Sequence, residues 1–301
     1  MNLKNLRVLV TGSSGFIGSN LIPRLENLGA KVEKFTKTSR CDILNERLVI
    51  STVKKKYDVI YHLAGFSGGE ESNRNIEKTF QINTLATLNL INAVADYSHE
   101  TKLILSSSRL EYGTPIYLPV DESHPTVPTS AYGLSKLAAT QIALAYNRTK
   151  NLKVTIFRTS NVYGPHKDIK FQGYNVINHF IDQAKKGRVL RIFGDGRQER
   201  DYIYVDDLIE AFLLSLSQKA EGKIYNLGYG QNIQFKDMAI LIVKIVGKGR
   251  VIFESWPKNY KQVETGSYIS DISKIQKDLG FTPKVGFELG IAKTIDEVHR
   301  G

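Results

Sequence analysis

The sequence predicts an α/β fold with a doubly wound parallel sheet and a second, smaller α/β unit toward the C-terminal end. Three observations predict it. Short apolar runs of strand length alternate with longer segments of helical period, as in a parallel sheet with right-handed crossovers. The first such run opens directly into Gly12-Ser13-Ser14-Gly15-Phe16-Ile17-Gly18, where glycine recurs at every third position before a helix-like stretch. After Gly164-Pro165 the alternation gives way to a different, less regular pattern.

Taken in order, the apolar runs Arg7–Thr11, Lys31–Thr36, Asp58–Leu63, Lys102–Ser107 and Lys153–Thr159 read as strands. Helices are expected to start between them near Phe16, Glu46, Ile76 and Ala131. The one over Ile76–Tyr97 is long and carries Asn83 in its first half; Pro125, Pro128 and Ser130 favour the start at Ala131. Beyond a loop at 166–173, a helix near Tyr174–Lys186, a strand Leu190–Phe193 and the turn Gly194-Asp195-Gly196 follow. Val205–Leu216 and Lys223–Leu227 read as a helix and a strand that return to the first domain. The predicted division is therefore 1–165 plus about 203–230 for the first domain, and 166–202 plus 231–301 for the second, within a chain of 301 residues.

The glycine turn carries chemistry. Gly12 permits the tight exit from the strand, Gly15 has no side chain to block a pyrophosphate, and Gly18 lets the helix pack closely on the sheet. The helix N–H groups and its positive dipole end then face the anion, which predicts dinucleotide binding on a Rossmann-type sheet. Ser14, Phe16 and Ile17 belong to the same cradle.

Composition excludes several classes. The single cysteine, Cys41, rules out an intrachain disulfide and any multi-cysteine metal site, and it fits a reducing cytoplasm. No apolar run approaches the ~18–20 residues that span a bilayer, so no membrane partner is expected. The first strand begins close to Met1, which leaves no room for a signal peptide. The net charge is +11, with basic residues gathered at Lys31–Arg40, Lys54–Lys56, Lys185–Arg191 and Lys244–Arg250. Without a nucleic-acid module or a basic–aromatic stripe, these read as solvated faces, and the positive balance suits a phosphorylated small substrate.

Tyr132 and Lys136 form Tyr-x-x-x-Lys at the predicted helix start. Side chains at i and i+4 share a helix face, so the ammonium sits beside the phenol. An ordinary tyrosine pKa of ~10 is too high for a base at neutral pH, and a neighbouring cation favours the phenolate. The strand at Lys102 ends in Ser106-Ser107-Ser108, which places hydroxyls in the ligand crevice of such a sheet.

Together these segments resemble the extended short-chain dehydrogenase/reductases of the nucleotide-sugar epimerase/dehydratase family. The resemblance runs through 11–18, Tyr61–Gly65, 106–113, 132–136, Arg158–Pro165, Gly194–Asp207 and Asp271–Pro283. It implies an NAD(P)-dependent enzyme with a Rossmann domain and a smaller nucleotide-sugar-binding domain. By resemblance Ser108 bonds the sugar hydroxyl that is oxidised, Tyr132 moves its proton while hydride passes to the nicotinamide, and Lys136 holds the nicotinamide ribose and tunes Tyr132. Leu63, Ala64, Gly65 and Ser106 would line the cofactor with Asp42 and Ile43, and Asn83 would support the central helix. Ser107, Arg109, Asn161, Arg200 and Lys261 fall at substrate positions; a plainer reading of Arg200 is an ion pair with Asp201 or Asp207. A homodimer through a four-helix bundle, from the helices at Ile76–Tyr97 and Ala131–Lys150, is also implied.

Three departures refine the reading. The second strand ends in Thr36-Lys37, with Arg40 following, where NAD-binding relatives carry an acid for the ribose 2′-hydroxyl; this favours NADP over NAD. Arg109-Leu110 supplies no acid after the active hydroxyl, where sugar 4,6-dehydratases have one, and strand alternation would aim Glu111 away from Leu110. Lys261 and Glu264 stand where many relatives have Arg and Asp, and lysine cannot grip phosphate in bidentate fashion. The reading that results is a nucleotide-diphosphate-sugar epimerase acting at carbon 4 through a transient 4-keto sugar. The runner-up is an NADPH-dependent 4-ketoreductase of 6-deoxysugar nucleotides, and the alternative of another class is a non-catalytic dinucleotide sensor.

Overall fold

A computed structural model describes residues 2–37, 42–165, 175–261 and 264–297. Its central sheet has six strands in the order β2-β1-β3-β4-β5-β9, all parallel. They are β1 (Arg7–Thr11), β2 (Lys31–Phe35), β3 (Val59–His62), β4 (Lys102–Ser108), β5 (Val154–Thr159) and β9 (Lys223–Leu227). Between them lie β6 (Asn161–Tyr163), β7 (Val189–Phe193) and β8 (Glu199–Tyr204). With β10 (Asn232–Gln234) and β11 (Arg250–Glu254), these form a three-stranded sheet β10-β8-β6 and a pair β11-β7.

The helices of the first half are α1 (Phe16–Asn27), α2 (Glu46–Val53), α3 (Gly69–Arg74), α4 (Ile76–Phe80), α5 (Ala86–Tyr97) and α6 (Ala131–Lys150). Those of the second half are α7 (Val176–Lys185), α8 (Val205–Leu214), α9 (Phe235–Val246), α10 (Lys258–Lys261), α11 (Ser273–Leu279) and α12 (Phe287–Glu297).

Strand alternation divides the core between the two faces of the sheet. Val8, Val10, Tyr61, Ile104 and Phe157 pack with Leu21 and Leu25 of α1 and Leu208 and Phe212 of α8. Leu9, Ile60, Leu103, Leu105 and Ile156 pack on the other side with Val49 of α2, Leu90 of α5 and Ala143 of α6. Burying both faces is what the continuous apolar strands required.

Two segments differ from the sequence reading. The long helix expected over Ile76–Tyr97 is interrupted by a π turn at Gln81–Leu85, which joins α4 to α5 and contains Asn83. Such turns trade regular i→i−4 bonding for a local bulge, which no hydrophobic period reveals. Residues 109–111 leave the strand as a 3-10 turn, with the Ser108 hydroxyl accepting from the Leu110 N–H at 3.2 Å. The alternation argument for Glu111 therefore fails, and its side chain is fully buried.

That turn meets the start of α6, where the Ser130 hydroxyl caps the helix by accepting from the Gly133 N–H at 3.1 Å. A Cβ at Gly133 would lie 2.3 Å from the Leu110 carbonyl oxygen, so α6 and the end of β4 are seated backbone to backbone. Gly133→Ala gains helix propensity but must push those backbones apart. It is expected to lose about 1–3 kcal/mol of stability by overpacking. Urea unfolding checks this; an unchanged midpoint would show the contact to be slack.

Candidate active site

Four chain segments converge at the carboxyl ends of the central strands. The first is the glycine turn. Gly12 has φ +68°, and a Cβ there would meet the Ala64 nitrogen at 2.6 Å. One on Gly18 would meet the Gly12 carbonyl oxygen at 2.5 Å, so the first and last glycines are required by close backbone approach. Gly15 caps α1 without any side-chain partner, which leaves the helix N-terminus available to an anion. Ser14 and Thr36 join the turn to the end of β2 by a bond between their hydroxyls. Thr36 is half-buried and Lys37 exposed, whereas Arg40 lies outside the described residues. Asp42 accepts from the Leu44 N–H at 3.0 Å, and Ile43 is buried with Val49 and Val53.

The second segment leaves β3. The Leu63 N–H donates to the Thr11 carbonyl at 3.2 Å, and the Ala64 N–H donates to the Thr11 hydroxyl at 3.2 Å. His62 bridges Thr11 and Thr87 at 2.7 and 2.9 Å, and burial holds its imidazole down at about 3, so it is neutral. Asn83 takes the Phe66 N–H at 2.7 Å and donates to the Phe66 carbonyl at 2.8 Å and the Ser135 hydroxyl at 3.0 Å. It thereby pins the chain after Gly65 to α6. A Cβ on Gly65 would lie 3.5 Å from Lys136 Nζ, so the predicted cofactor-lining residue abuts the lysine.

The third and fourth segments are the end of β4 and the face of α6. Ser108 lies near enough to the Tyr132 phenol to counter the effect of burial on it. Lys136 Nζ donates to the Ser106 carbonyl at 2.9 Å and lies 6.0 Å from the centre of the Tyr132 ring. The predicted hydroxyl, phenol and amine are thus brought to one strand end, with the amine beside Gly65. One expectation is corrected. Burial pushes Tyr132 up to about 12, opposed by nearby Ser108, so proximity to Lys136 does not make it a phenolate in the ligand-free protein. Burial also holds Lys136 down, to about 8, opposed by the charge of Glu111.

The predicted substrate residues divide. Arg109 is buried, donates to the Thr265 hydroxyl at 3.2 Å and lies 5.0 Å over the Tyr268 ring. Burial and the charge of Arg200 bring its guanidinium down to about 10. Arg200 donates to the Gly266 carbonyl at 2.6 Å and pairs with Glu264. The plainer pairing with Asp201 or Asp207 is not what forms. Asp201 accepts backbone N–H groups from Tyr229 and Ser270, and Asp207 accepts those of Lys284 and Val285. Asn161 is half-buried and donates to the Asp201 carbonyl at 2.9 Å. Two placements differ from expectation. Ser107 donates its hydroxyl to buried Glu111 rather than standing free for a sugar. Lys261 is exposed on α10 and makes no ion pair among the described residues, because Glu264 turns to Arg200.

Glu111 and Thr140 were not singled out as site residues in the sequence. Thr140 follows Tyr132 and Lys136 at the same four-residue spacing, a signal that could have found it. Among the described residues, no cluster of side chains could hold a metal ion, and no helix is long and apolar enough to cross a membrane. At pH about 10, where an ordinary tyrosine is half ionised, Tyr132 should still be a phenol. Tyr132→Phe is therefore expected to remove no tyrosinate absorbance there, as a spectroscopic pH titration of the two proteins can check.

The chain is similar to known proteins over nearly its whole length. A putative UDP-glucose 4-epimerase of Methanocaldococcus jannaschii is 32% identical over 96% of this chain and 97% of its own. The UDP-glucose 4-epimerase of Thermotoga maritima, solved with UDP-glucose, superposes with a TM-score of 0.90 at 28% identity, covering 98% of this chain and 99% of its own. That of Thermus thermophilus, solved with NAD, gives 0.88 at 28% identity with the same coverage. Residues 8–228 match the model of the NAD dependent epimerase/dehydratase family, and the chain belongs to that family.

Proposed function

We propose that this protein is a nicotinamide-dinucleotide-dependent epimerase of nucleotide-diphosphate sugars, acting at carbon 4. The observation that carries the reading is the Lys136 ammonium held to the Ser106 carbonyl and beside the Tyr132 ring, at the strand end that carries Ser108. The glycine cradle, closed to any Cβ at Gly12 and Gly18, fits a dinucleotide pyrophosphate against the N-terminus of α1. Bound there, the nicotinamide would supply a reversible two-electron acceptor. Ser108 and Tyr132 would hold the sugar hydroxyl, and Tyr132 would take its proton and later return it to the 4-keto oxygen. Lys136 is the nearby cation that favours the phenolate during that exchange.

The pair Arg109 and Arg200, both bound to the stretch 264–266, supports binding of a diphosphate. Of these two buried guanidiniums only that of Arg200 pairs with a carboxylate among the described residues, and forked donors suit phosphate oxygens. The absence of an acid at 109 and 110 disfavours loss of water from the sugar. The lack of a carboxylate at Thr36, beside Lys37, supports NADP and keeps open a second reading, reduction of a 4-keto sugar nucleotide. A homodimer is supported by Ile76 and Leu85 on one helical run and Leu134 on α6, which are 55%, 53% and 48% exposed.

Ser108→Ala and Tyr132→Phe should each lower kcat by about 10²–10⁴-fold for a sugar nucleotide substrate. An epimerase interconverts two sugar nucleotides with no net change in nicotinamide absorbance; stoichiometric loss of reduced cofactor would assign the reductase instead. Leu85→Glu combined with Leu134→Glu should convert a dimer to a monomer in light scattering.

A further inference from the structure

Glu111 is fully buried, and the proton-transfer chemistry proposed above does not use it. Its carboxylate pairs with Arg158 Nε at 2.7 Å, accepts from the Thr140 hydroxyl at 2.6 Å and accepts from the Ser107 hydroxyl. Ser107 lies between Ser106, whose carbonyl holds Lys136, and Ser108, which lies near Tyr132. Thr140 is one turn beyond Lys136 on the face of α6 that carries Tyr132. One carboxylate therefore ties the strand half of the catalytic set to its helix half. The amine itself faces a small cavity whose lining includes Ser107 and Thr140, the two hydroxyl residues that Glu111 holds.

Lys136 has a charge problem that this arrangement addresses. Its amine is bonded only to a neutral carbonyl, with no ion pair among the described residues. The titratable groups around it are the Tyr132 phenol on α6, neutral His62 on β3, Glu111 on the turn after β4, and Arg158 on β5, which is already paired with Glu111. Only Glu111 brings negative charge. We propose that Glu111 is a positioning residue that fixes Ser107 and Thr140 beside the Lys136 amine and, behind them, supplies the counter-charge that keeps Lys136 an ammonium. The inference rests on the epimerase reading only for what that ammonium is used for. Burial already lowers Lys136 to about 8, so loss of the carboxylate should drive deprotonation into the neutral range.

The test titrates Lys136 itself and needs no substrate. The pH dependence of acylation of its amine, read by peptide mass spectrometry, is compared in the wild type, Glu111→Gln and Glu111→Asp. Glu111→Gln should lower the midpoint by about one pH unit or more, while Glu111→Asp, which keeps the charge, should restore it. If Arg158 left alone prevents folding of the single variant, the double variant Glu111→Gln/Arg158→Gln removes the ion pair whole and should shift Lys136 in the same direction. A midpoint equal to the wild type in whichever of these folds, with only thermal stability reduced, overturns the proposal and leaves Glu111 a structural residue. Absence of sugar-nucleotide turnover in the wild type would instead refute the epimerase reading and leave this titration intact.

Discussion

The site depends on one packing contact, the seating of α6 on the end of β4. Gly133 brings the helix backbone against the Leu110 carbonyl, and Ser130 starts the helix at the right residue. From that point the four-residue spacing of Tyr132, Lys136 and Thr140 meets Ser106, Ser107 and Ser108 on a strand whose register is fixed between β3 and β5. Neither partner can slide without loss. A shift of one residue along β4 would reverse its side chains and exchange Ser108 for Ser107. A rotation of α6 would carry the phenol away from the strand. The geometry of the candidate site follows from two regular elements and their point of closest approach, a more exact scaffold than a loop.

Electrostatics follows from the same packing. Taking Tyr132 and Lys136 out of water favours the neutral form of each, which opposes the chemistry proposed for them. Partners must restore what burial removes. Ser108 does so for the phenol, and the negative charge of Glu111 does so for the amine. Farther along the cleft the balance has the opposite sign. Arg109 and Arg200 are both buried around Glu264, leaving an excess of positive charge inside the protein. Keeping a guanidinium desolvated beside another is costly, and an anionic ligand would relieve it.

Much of the fold was legible because its signals are local. The parallel strands are buried on both faces and read as apolar runs, and the glycine turn is dictated by backbone clearances that tolerate no other residue at Gly12 and Gly18. Ser108, Tyr132 and Lys136 were legible because helical spacing and a strand end place them without long-range information. What escaped is what tertiary packing decides. The π turn that carries Asn83 leaves no periodic trace. Glu111 read as the next residue of an alternating strand because nothing local announces that the chain turns at Arg109, or that Arg158, far away in sequence, waits beneath it. Lys261 was placed by correspondence of position, and only the fold shows Glu264 turned to Arg200.

The way Arg109 and Glu111 divide their tasks also bears on the class of reaction. Immediately after Ser108 the chain has one cation and one anion, separated by Leu110 and held in a 3-10 turn. The turn sends Arg109 toward Thr265 and Tyr268, and Glu111 inward to Arg158. The only carboxylate near Ser108 on this turn is thus already saturated by a guanidinium and two hydroxyls. Its partners all lie inside the core, and the epimerase chemistry proposed above does not draw on it. The reading proposed above needs proton transfer only at Ser108 and Tyr132. That is sufficient to oxidise a hydroxyl and restore it, the minimal chemistry of inverting a sugar carbon.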